Sequence, residues 1–230
     1  MERMSKFEGL SDSITKALAL EWEPIALKFS DKPDACGDSS SKLRVCEAFD
    51  AVRRENAIIN FSKPNCVCPG GRHFLGLEVL PAETVAAVWT KAHKAYESMD
   101  SAIISINQQP QPVKRGDYAI LGPLKMFGTE PDLVLVFANA QQADRALALA
   151  SFRGAEPFAF YPISNVCSCI TNALAKGQPE INFLAAHARR MAKWSPNELI
   201  VAMPFRDFEA AASNIANSGY GTAQMEKPKL

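Results

Sequence analysis

The sequence predicts one α+β domain over residues 1–230, in which helices cover a mixed or antiparallel sheet. Stretches with apolar residues at helical spacing alternate with short apolar or β-branched runs that read as strands. No repeat of about 20 to 50 residues, no low-complexity linker and no change in composition divides the chain. A chain of 230 residues can bury a hydrophobic core without needing disulfides or metals to hold it.

The first third of the chain predicts a helix, a strand, a polar loop, a second helix and a second strand. These elements are predicted at 6–20, 24–30, 31–41, 42–54 and 57–62. Pro24 ends the first helix, because proline cannot continue it. In the following segment, PNCVCPGGRHFLGL, Pro64, Pro69, Gly70 and Gly71 predict irregular structure.

The remainder of the chain predicts further helices and strands. Helices are predicted from Pro81 to about Met99 and at 139–152, 164–177, 183–194 and 206–218. Strands are predicted at 102–106, 117–122, 132–138, 156–162 and 198–204. Ser164 is the predicted N-cap of its helix, and Gly177 is predicted to end that helix in the left-handed conformation. The tail at about 219–230 is predicted to be frayed.

The charge balance argues against several classes of function. Lys plus Arg equals Asp plus Glu at 25 each, so no excess of positive charge would attract nucleic acid or anionic lipid. Charges interrupt the apolar residues at the start of the sequence, and no later segment reaches the roughly 20 apolar residues of a membrane span. We therefore expect a cytoplasmic protein with reduced cysteines.

Two Cys-x-Cys pairs are the main chemical signal. Cys66 and Cys68 would face one site only if the chain is extended there, because residues i and i+2 of a strand point the same way. Cys167 and Cys169 lie near a predicted helix start, where the same spacing separates side chains by about 200°. Free amides and the helix dipole stabilise a thiolate there. Cys46, in the second predicted helix, is the fifth candidate ligand.

These thiols predict a metal site, although cysteines also serve as small apolar core residues. Soft thiolates select iron–sulfur clusters, zinc or monovalent copper. A structural zinc site usually has compact knuckles, which this chain lacks, so an iron–sulfur cluster, 4Fe-4S, is favoured. Gly70 and Gly71 are expected to let backbone amides approach the bound cluster. Cys36, in a polar loop, is assigned no role.

The histidines and arginines give a weaker signal. His73 and His187 are possible metal ligands, but a lone histidine is more often structural. Arg189 and Arg190 either offset the negative charge of a thiolate-bound cluster or form a solvated helix face. No phosphate-binding loop, GxSxG elbow, HExxH helix or Rossmann fingerprint is present, so common hydrolase and nucleotide chemistry lacks support.

The string LRVCEAFDAVRRENAIINFSKPNCVCPGGRHFLGLE resembles domain-of-unknown-function family 169, as do GPLKMFGTEPDLVLVFANAQQADRAL, NVCSCITNALAKGQPEINF and ELIVAMPF. The resemblance covers about residues 20–210. It implies a soluble protein of archaeal or anaerobic bacterial type, and it matches Cys46, Cys68 and Cys167 to family cysteines. A further family cysteine corresponds to Ala185 here, which implies that Cys66, Cys169 or His187 replaces it.

The sequence thus leads to one hypothesis and several alternatives. Cys46, Cys68, Cys167 and one of Cys66 or Cys169 are expected to hold a 4Fe-4S cluster. Such a cluster would serve electron transfer with a redox partner protein, or redox or Lewis-acid chemistry on a small-molecule substrate. The alternatives are a non-catalytic thiolate protein that binds zinc, another soft metal or haem, a cysteine-nucleophile enzyme, and a structural or interaction role. A homodimer is the expected form of any oligomer.

Overall fold

A computed structural model describes residues 5–154 and 166–222, and it confirms the predicted α+β architecture. The described strands form one sheet in the order β2-β3-β1-β4-β6-β5, and every neighbouring pair is antiparallel. The strands are β1 (Ile25–Ser30), β2 (Ile59–Phe61), β3 (Tyr118–Pro123), β4 (Leu133–Ala138), β5 (Glu180–Asn182) and β6 (Leu199–Pro204).

Helices cover both faces of this sheet. The α-helices are α1 (Lys6–Leu18), α2 (Val45–Glu55), α3 (Pro69–Phe74), α4 (Ala82–Ala87), α5 (Met99–Asn107), α6 (Ala140–Ala150), α7 (Ser168–Lys176), α8 (Ala186–Ala192) and α9 (Phe205–Asn214). A π-helical turn, Val88–Ala92, follows α4, and short 3-10 turns lie at Leu124–Met126 and Gly219–Gly221. Across the described ranges, no helix has the length and apolar character needed to cross a bilayer.

Two hydrophobic cores lie on opposite faces of the sheet. Successive strand residues point to opposite faces, so Leu135 of β4 enters one core and Val136 the other. Helices α1, α6 and α9 cover the face of Val136, while α2, α3, α4, α5, α7 and α8 cover the face of Leu135. Because both faces are buried, the central strand β4 is apolar throughout, which explains its continuous LVLVFA run.

The helix predicted from Pro81 to Met99 is wrong beyond Ala92. Helix α4 ends at Ala87, the π-helical turn follows, and the chain leaves the helix at Lys94, whose φ is 49°. This exit lets Tyr96 stack on Trp89 with ring centroids 5.7 Å apart. Aromatic packing therefore prevails over helix continuity here, and a π-helical turn often marks a functional position.

The predicted strand at 102–106 is also wrong, because this segment lies in α5. Ala102 and Ile106 are buried, whereas Ile104 between them is 59% exposed. That burial has the four-residue spacing of a helix rather than the alternation of a strand. Ser98 caps the helix by accepting a hydrogen bond from the Ser101 amide at 3.1 Å. The β-branched composition of this stretch misled the prediction, since tertiary packing overrides local propensity.

Three smaller predictions need correction. Residues 69–74 form α3 instead of irregular structure, because Pro69 occupies the first helical position, where no amide hydrogen is needed. The helix predicted at 183–194 begins only at Ala186, after Leu184 with φ 57°, and β5 before it was not predicted. Within the tail predicted to be frayed, Gly219–Gly221 form a 3-10 turn.

Some predictions fall on residues that are not described. The strand at 156–162, the N-cap Ser164 and residues 223–230 lie outside the described ranges. At the other end of the same predicted helix, Gly177 ends α7 with φ 62°, as predicted.

Candidate functional site

One cavity on the α2 side of the sheet gathers the chemically distinctive side chains. It lies between α2, the chain before α3, the π-helical turn, the start of α7 and α8, and has a volume of about 190 Å³. A single water needs only roughly 10–15 Å³, so this space can take a group of several atoms. Its wall includes three cysteines, two histidines and one arginine: Cys46, Cys68, Cys167, His93, His187 and Arg44.

Each of the three cysteines on the wall is placed by the start of a different helix. Cys46 is the second residue of α2, while Cys68 and Cys167 directly precede α3 and α7. The first-turn amides of the longer helices α2 and α7 and the positive ends of their dipoles favour negative charge at these ends. The fold thus brings together three thiols that lie up to 121 positions apart in the sequence.

The other three cysteines lie elsewhere. Cys66 is fully buried, and its Sγ is 3.9 Å from the Cys68 carbonyl oxygen. Cys169 is 1% exposed, and its Sγ donates to the Val166 carbonyl oxygen at 3.0 Å. Neither lines the cavity, so in each Cys-x-Cys pair only one thiol faces it. Cys36 is exposed in its loop, away from the cavity.

Burial keeps the thiols of Cys46 and Cys167 protonated at neutral pH. Burial raises the pKa of Cys46 to about 11, with smaller contributions from Glu47 and Cys68. The pKa of Cys167 is raised well above its ordinary value by burial, and then by the thiols of Cys68, Cys46 and Cys66. Any metal that binds here must therefore displace protons.

The same burial predicts a loss of stability in alkali. The pKa of Cys66 rises from 9.0 to about 12 in the folded protein, so between these values the unfolded chain releases a proton that the folded chain retains. The free energy of unfolding of the metal-free, reduced protein should therefore fall above pH about 9, by about 1.4 kcal/mol per pH unit for each such thiol. Urea unfolding at pH 8 and pH 10 measures this loss. It should be smaller in Cys66→Ala and unchanged in Cys36→Ala, and equal losses in both variants would contradict this account.

Two histidines stack on each other at the cavity wall. The rings of His93 and His187 lie 3.6 Å apart between centroids and 11° from parallel. Burial, then His93 and Arg190, lowers the pKa of His187 to about 4, and burial, Arg44 and Arg190 lower that of His93. Both imidazoles are neutral at pH 7, so the positive charge of this region comes from Arg44 on the wall and from Arg190 near the histidines. The sequence analysis did not single out His93, whose position depends on the π-helical turn.

Two other candidates have structural roles instead. His73 is 1% exposed, and its Nδ1 accepts a hydrogen bond from the Leu80 amide at 3.1 Å. Arg189 donates to four backbone carbonyl oxygens, those of Phe183, Leu184, Ser195 and Glu198. These bonds fix the start of α8 and thereby place His187 on the cavity wall.

Of the two glycines predicted to approach a cofactor, Gly71 has a packing role. Both Gly70 and Gly71 are buried in α3, and neither lines the cavity. A Cβ on Gly71 would lie 2.9 Å from Val45 Cγ2 and 3.0 Å from Cys66 Sγ. The absence of a side chain at Gly71 therefore lets α3 pack closely beside Cys66 and the first residue of α2.

A buried ion pair braces the helices around the cavity. Arg53 of α2 donates to the Glu198 carboxylate at 2.5 Å, and its side chain is only 1% exposed. Its guanidinium carbon also lies 4.6 Å from the Trp22 ring centroid and 4.1 Å from that of Phe137. The backbone carbonyl of Glu198 also accepts a hydrogen bond from Arg189 of α8. Glu198 therefore connects α2, which carries Cys46, to α8.

The arrangement of the donors bears on the kind of group they can hold. Among the described residues, no three His, Cys, Asp or Glu side chains are grouped tightly enough to bind one metal ion as they stand. The ligands of one zinc ion lie about 2.0–2.3 Å from it, which demands such a tight group. A cluster takes its thiolates on separate irons, so they lie farther apart. Thiols spread around a cavity of this size therefore suit a multi-atom group better than one ion.

The chain is thus an antiparallel α+β protein with a cavity that three cysteines line. It belongs to family DUF169, described as "Uncharacterised ArCR", whose family model matches residues 13–214. This match confirms the resemblance seen in the sequence. No curated protein and no solved structure is significantly similar to the chain. Ala185, the position of the departure from the family pattern, is buried directly before α8, two residues from His187.

Proposed function

We propose that this protein binds a 4Fe-4S cluster through the thiolates of Cys46, Cys68 and Cys167. The cluster would serve electron transfer with a redox partner, or redox or Lewis-acid chemistry on a small molecule. The observation that carries the proposal is that these three thiols, from three separate helix starts, line one cavity. Ordinary core packing gives no reason for three thiols to share the wall of a 190 Å³ space.

The residues around the cavity fit such a group chemically. Thiolates are the usual ligands of iron–sulfur clusters, and the amides at the starts of α2 and α7 favour the negative charge that these ligands bring. The positive charges of Arg44, on the wall, and Arg190, near the two histidines, offset that charge further. Val45, Val88 and Val166 make part of the wall apolar, and an apolar surrounding lowers the local dielectric and tunes the potential of a bound cluster.

The alternatives receive less support from the same residues. A cysteine nucleophile needs a depressed pKa, whereas burial raises the pKa of Cys46 and Cys167. Zinc needs a tight tetrahedral group, which the donors do not form as they stand. Both alternatives nevertheless give distinct results in the experiment that tests the proposal.

Metal analysis of the full chain, purified without oxygen, tests this function. We expect close to four irons and four acid-labile sulfides per chain after reconstitution with ferrous iron and sulfide, and broad absorption near 400 nm that bleaches with dithionite. Zinc without sulfide would instead support the non-catalytic metal protein. One rapidly alkylated thiol and no bound metal would support the thiol enzyme. Either of these results would overturn the proposal.

A further inference from the structure

We infer that an imidazole nitrogen of His187 supplies the fourth ligand of the cluster, and that His93 positions it by stacking. The inference rests on the proposed function, because it assigns the iron that Cys46, Cys68 and Cys167 leave without a thiolate. The assignment concerns only His93 and His187 on the cavity wall. It distinguishes between the electron-transfer and Lewis-acid roles of the cluster.

The other candidate donors of the described chain are poorly placed. Cys66 and Cys169 do not line the cavity, and the Cys169 thiol is directed to the Val166 carbonyl. Met191 lies on the wall, but this residue is 37% exposed, and a thioether is a preferred ligand of monovalent copper. The remaining neutral donors on the wall are the imidazoles of His93 and His187.

The two imidazoles are held differently, which favours His187 as the ligand. His187 is the second residue of α8, beside Ala188, which is 1% exposed and also lines the cavity. The bonds from Arg189 to four carbonyl oxygens fix the start of this helix. His93 instead follows the π-helical turn and precedes the exposed Lys94, so the backbone that carries its imidazole is held less firmly.

The stacking contact gives His93 a supporting role. Its ring lies 3.6 Å from that of His187 and within 11° of parallel, so it restricts the rotation of the His187 imidazole. A ligand whose orientation is already restricted loses less conformational entropy when it binds. Neighbouring groups that fix the orientation of a ligating histidine by hydrogen bonding affect metal affinity, and stacking can fix the ring in the same way. We therefore treat His93 as a positioning residue and His187 as the ligand.

A fourth protein ligand changes what the cluster does. An iron that is fully ligated by the protein has no open position for a substrate, so the site would transfer electrons. A neutral imidazole in place of a thiolate also reduces the negative charge around the cluster. Reduction is then easier, as replacing cysteine ligands by histidine raises the potential of other clusters. The inference thus selects electron transfer to a redox partner from the roles proposed above.

Pulsed electron paramagnetic resonance of the dithionite-reduced, reconstituted full chain tests the ligand directly. We expect a strongly coupled ¹⁴N signal that converts to ¹⁵N when only histidine is labelled. The signal should disappear in His187→Ala and persist in His93→Phe, which keeps an aromatic ring but removes the imidazole nitrogens. His187→Cys should restore four-iron occupancy and lower the midpoint potential below that of the wild type, which checks the site independently of whether His187→Ala folds.

The results distinguish failure of the His187 assignment from failure of cluster binding. A wild-type cluster with no histidine nitrogen coupling would overturn the assignment of His187 and leave cluster binding intact. Coupling that persists in His187→Ala but vanishes in His93→Phe would also overturn it, since the ligand would then be His93. Failure of the wild-type chain to take up iron and sulfide would overturn both proposals.

Discussion

Replacing Cys167 with alanine should abolish cluster binding, whereas replacing Cys169, two residues further on, should leave it nearly intact. Both thiols are almost fully buried near the start of α7, so the two variants remove the same atom from similar surroundings. Only Cys167 lines the cavity, while Cys169 is hydrogen-bonded to Val166. We expect Cys167→Ala to bind less than one tenth of the wild-type iron and sulfide. Parallel iron and sulfide analysis after anaerobic reconstitution measures the difference.

Comparing Cys167→Ala with Cys169→Ala also controls for effects of the substitutions on folding. Circular dichroism and thermal unfolding of the metal-free proteins should show similar losses for both variants, because each removes one buried sulfur. Cys68→Ala should behave like Cys167→Ala, and Cys66→Ala like Cys169→Ala. Equal iron content in the Cys167 and Cys169 variants would show that the cavity wall does not define the ligand set.

Replacing Glu198 with alanine should be among the most destabilising single changes outside the apolar core. It would leave the guanidinium of Arg53 buried between Trp22 and Phe137 without its carboxylate partner. Breaking a buried ion pair by removing one partner costs about 3–5 kcal/mol, although the two aromatic rings keep part of their attraction for the cation. We therefore expect a loss of about 3 kcal/mol in the free energy of unfolding, measured by urea denaturation of the metal-free protein.

Two further variants test the reason for that loss. The double variant Arg53→Met/Glu198→Gln removes both buried charges, so most of the lost stability should return. Asp117→Ala breaks the exposed pair between Lys114 and Asp117 and should leave stability nearly unchanged. A Glu198→Ala protein as stable as the wild type would show that the Arg53–Glu198 ion pair does not stabilise the packing of α2 and α8. The iron content of the Glu198→Ala variant should also fall, because Cys46 and His187 lie on the two helices that Glu198 joins.

The sequence was most informative where a local pattern coincided with a tertiary requirement. The apolar run of β4 is buried on both faces, and the spacing of apolar residues near the N-terminus matches the side of α1 that packs on the sheet. Gly177 ends α7 because a left-handed residue is needed there and glycine adopts that conformation at low cost. Such features depend on a few neighbouring residues, so the sequence alone predicts them.

Local patterns failed where distant residues decided the conformation. The β-branched stretch at 102–106 has strand composition, but Ala102 and Ile106 are buried while Ile104 is exposed, which is the pattern of a helix. The predicted helix from Pro81 breaks where Tyr96 turns back to stack on Trp89. Neither the packed face of α5 nor the aromatic partner can be read from nearby spacing, because each depends on how remote segments pack.

The sequence by itself determined the α+β class and the positions of most strands and helices, and it put forward Cys46, Cys68 and Cys167 as candidate ligands. Only the tertiary structure decided that Cys66 and Cys169 lie off the cavity and that His93 and His187 stack beside its thiols. The physical reason is that backbone conformation and apolar periodicity act over a few residues. The direction of a thiol or imidazole depends instead on how helices from opposite ends of the chain pack against one sheet.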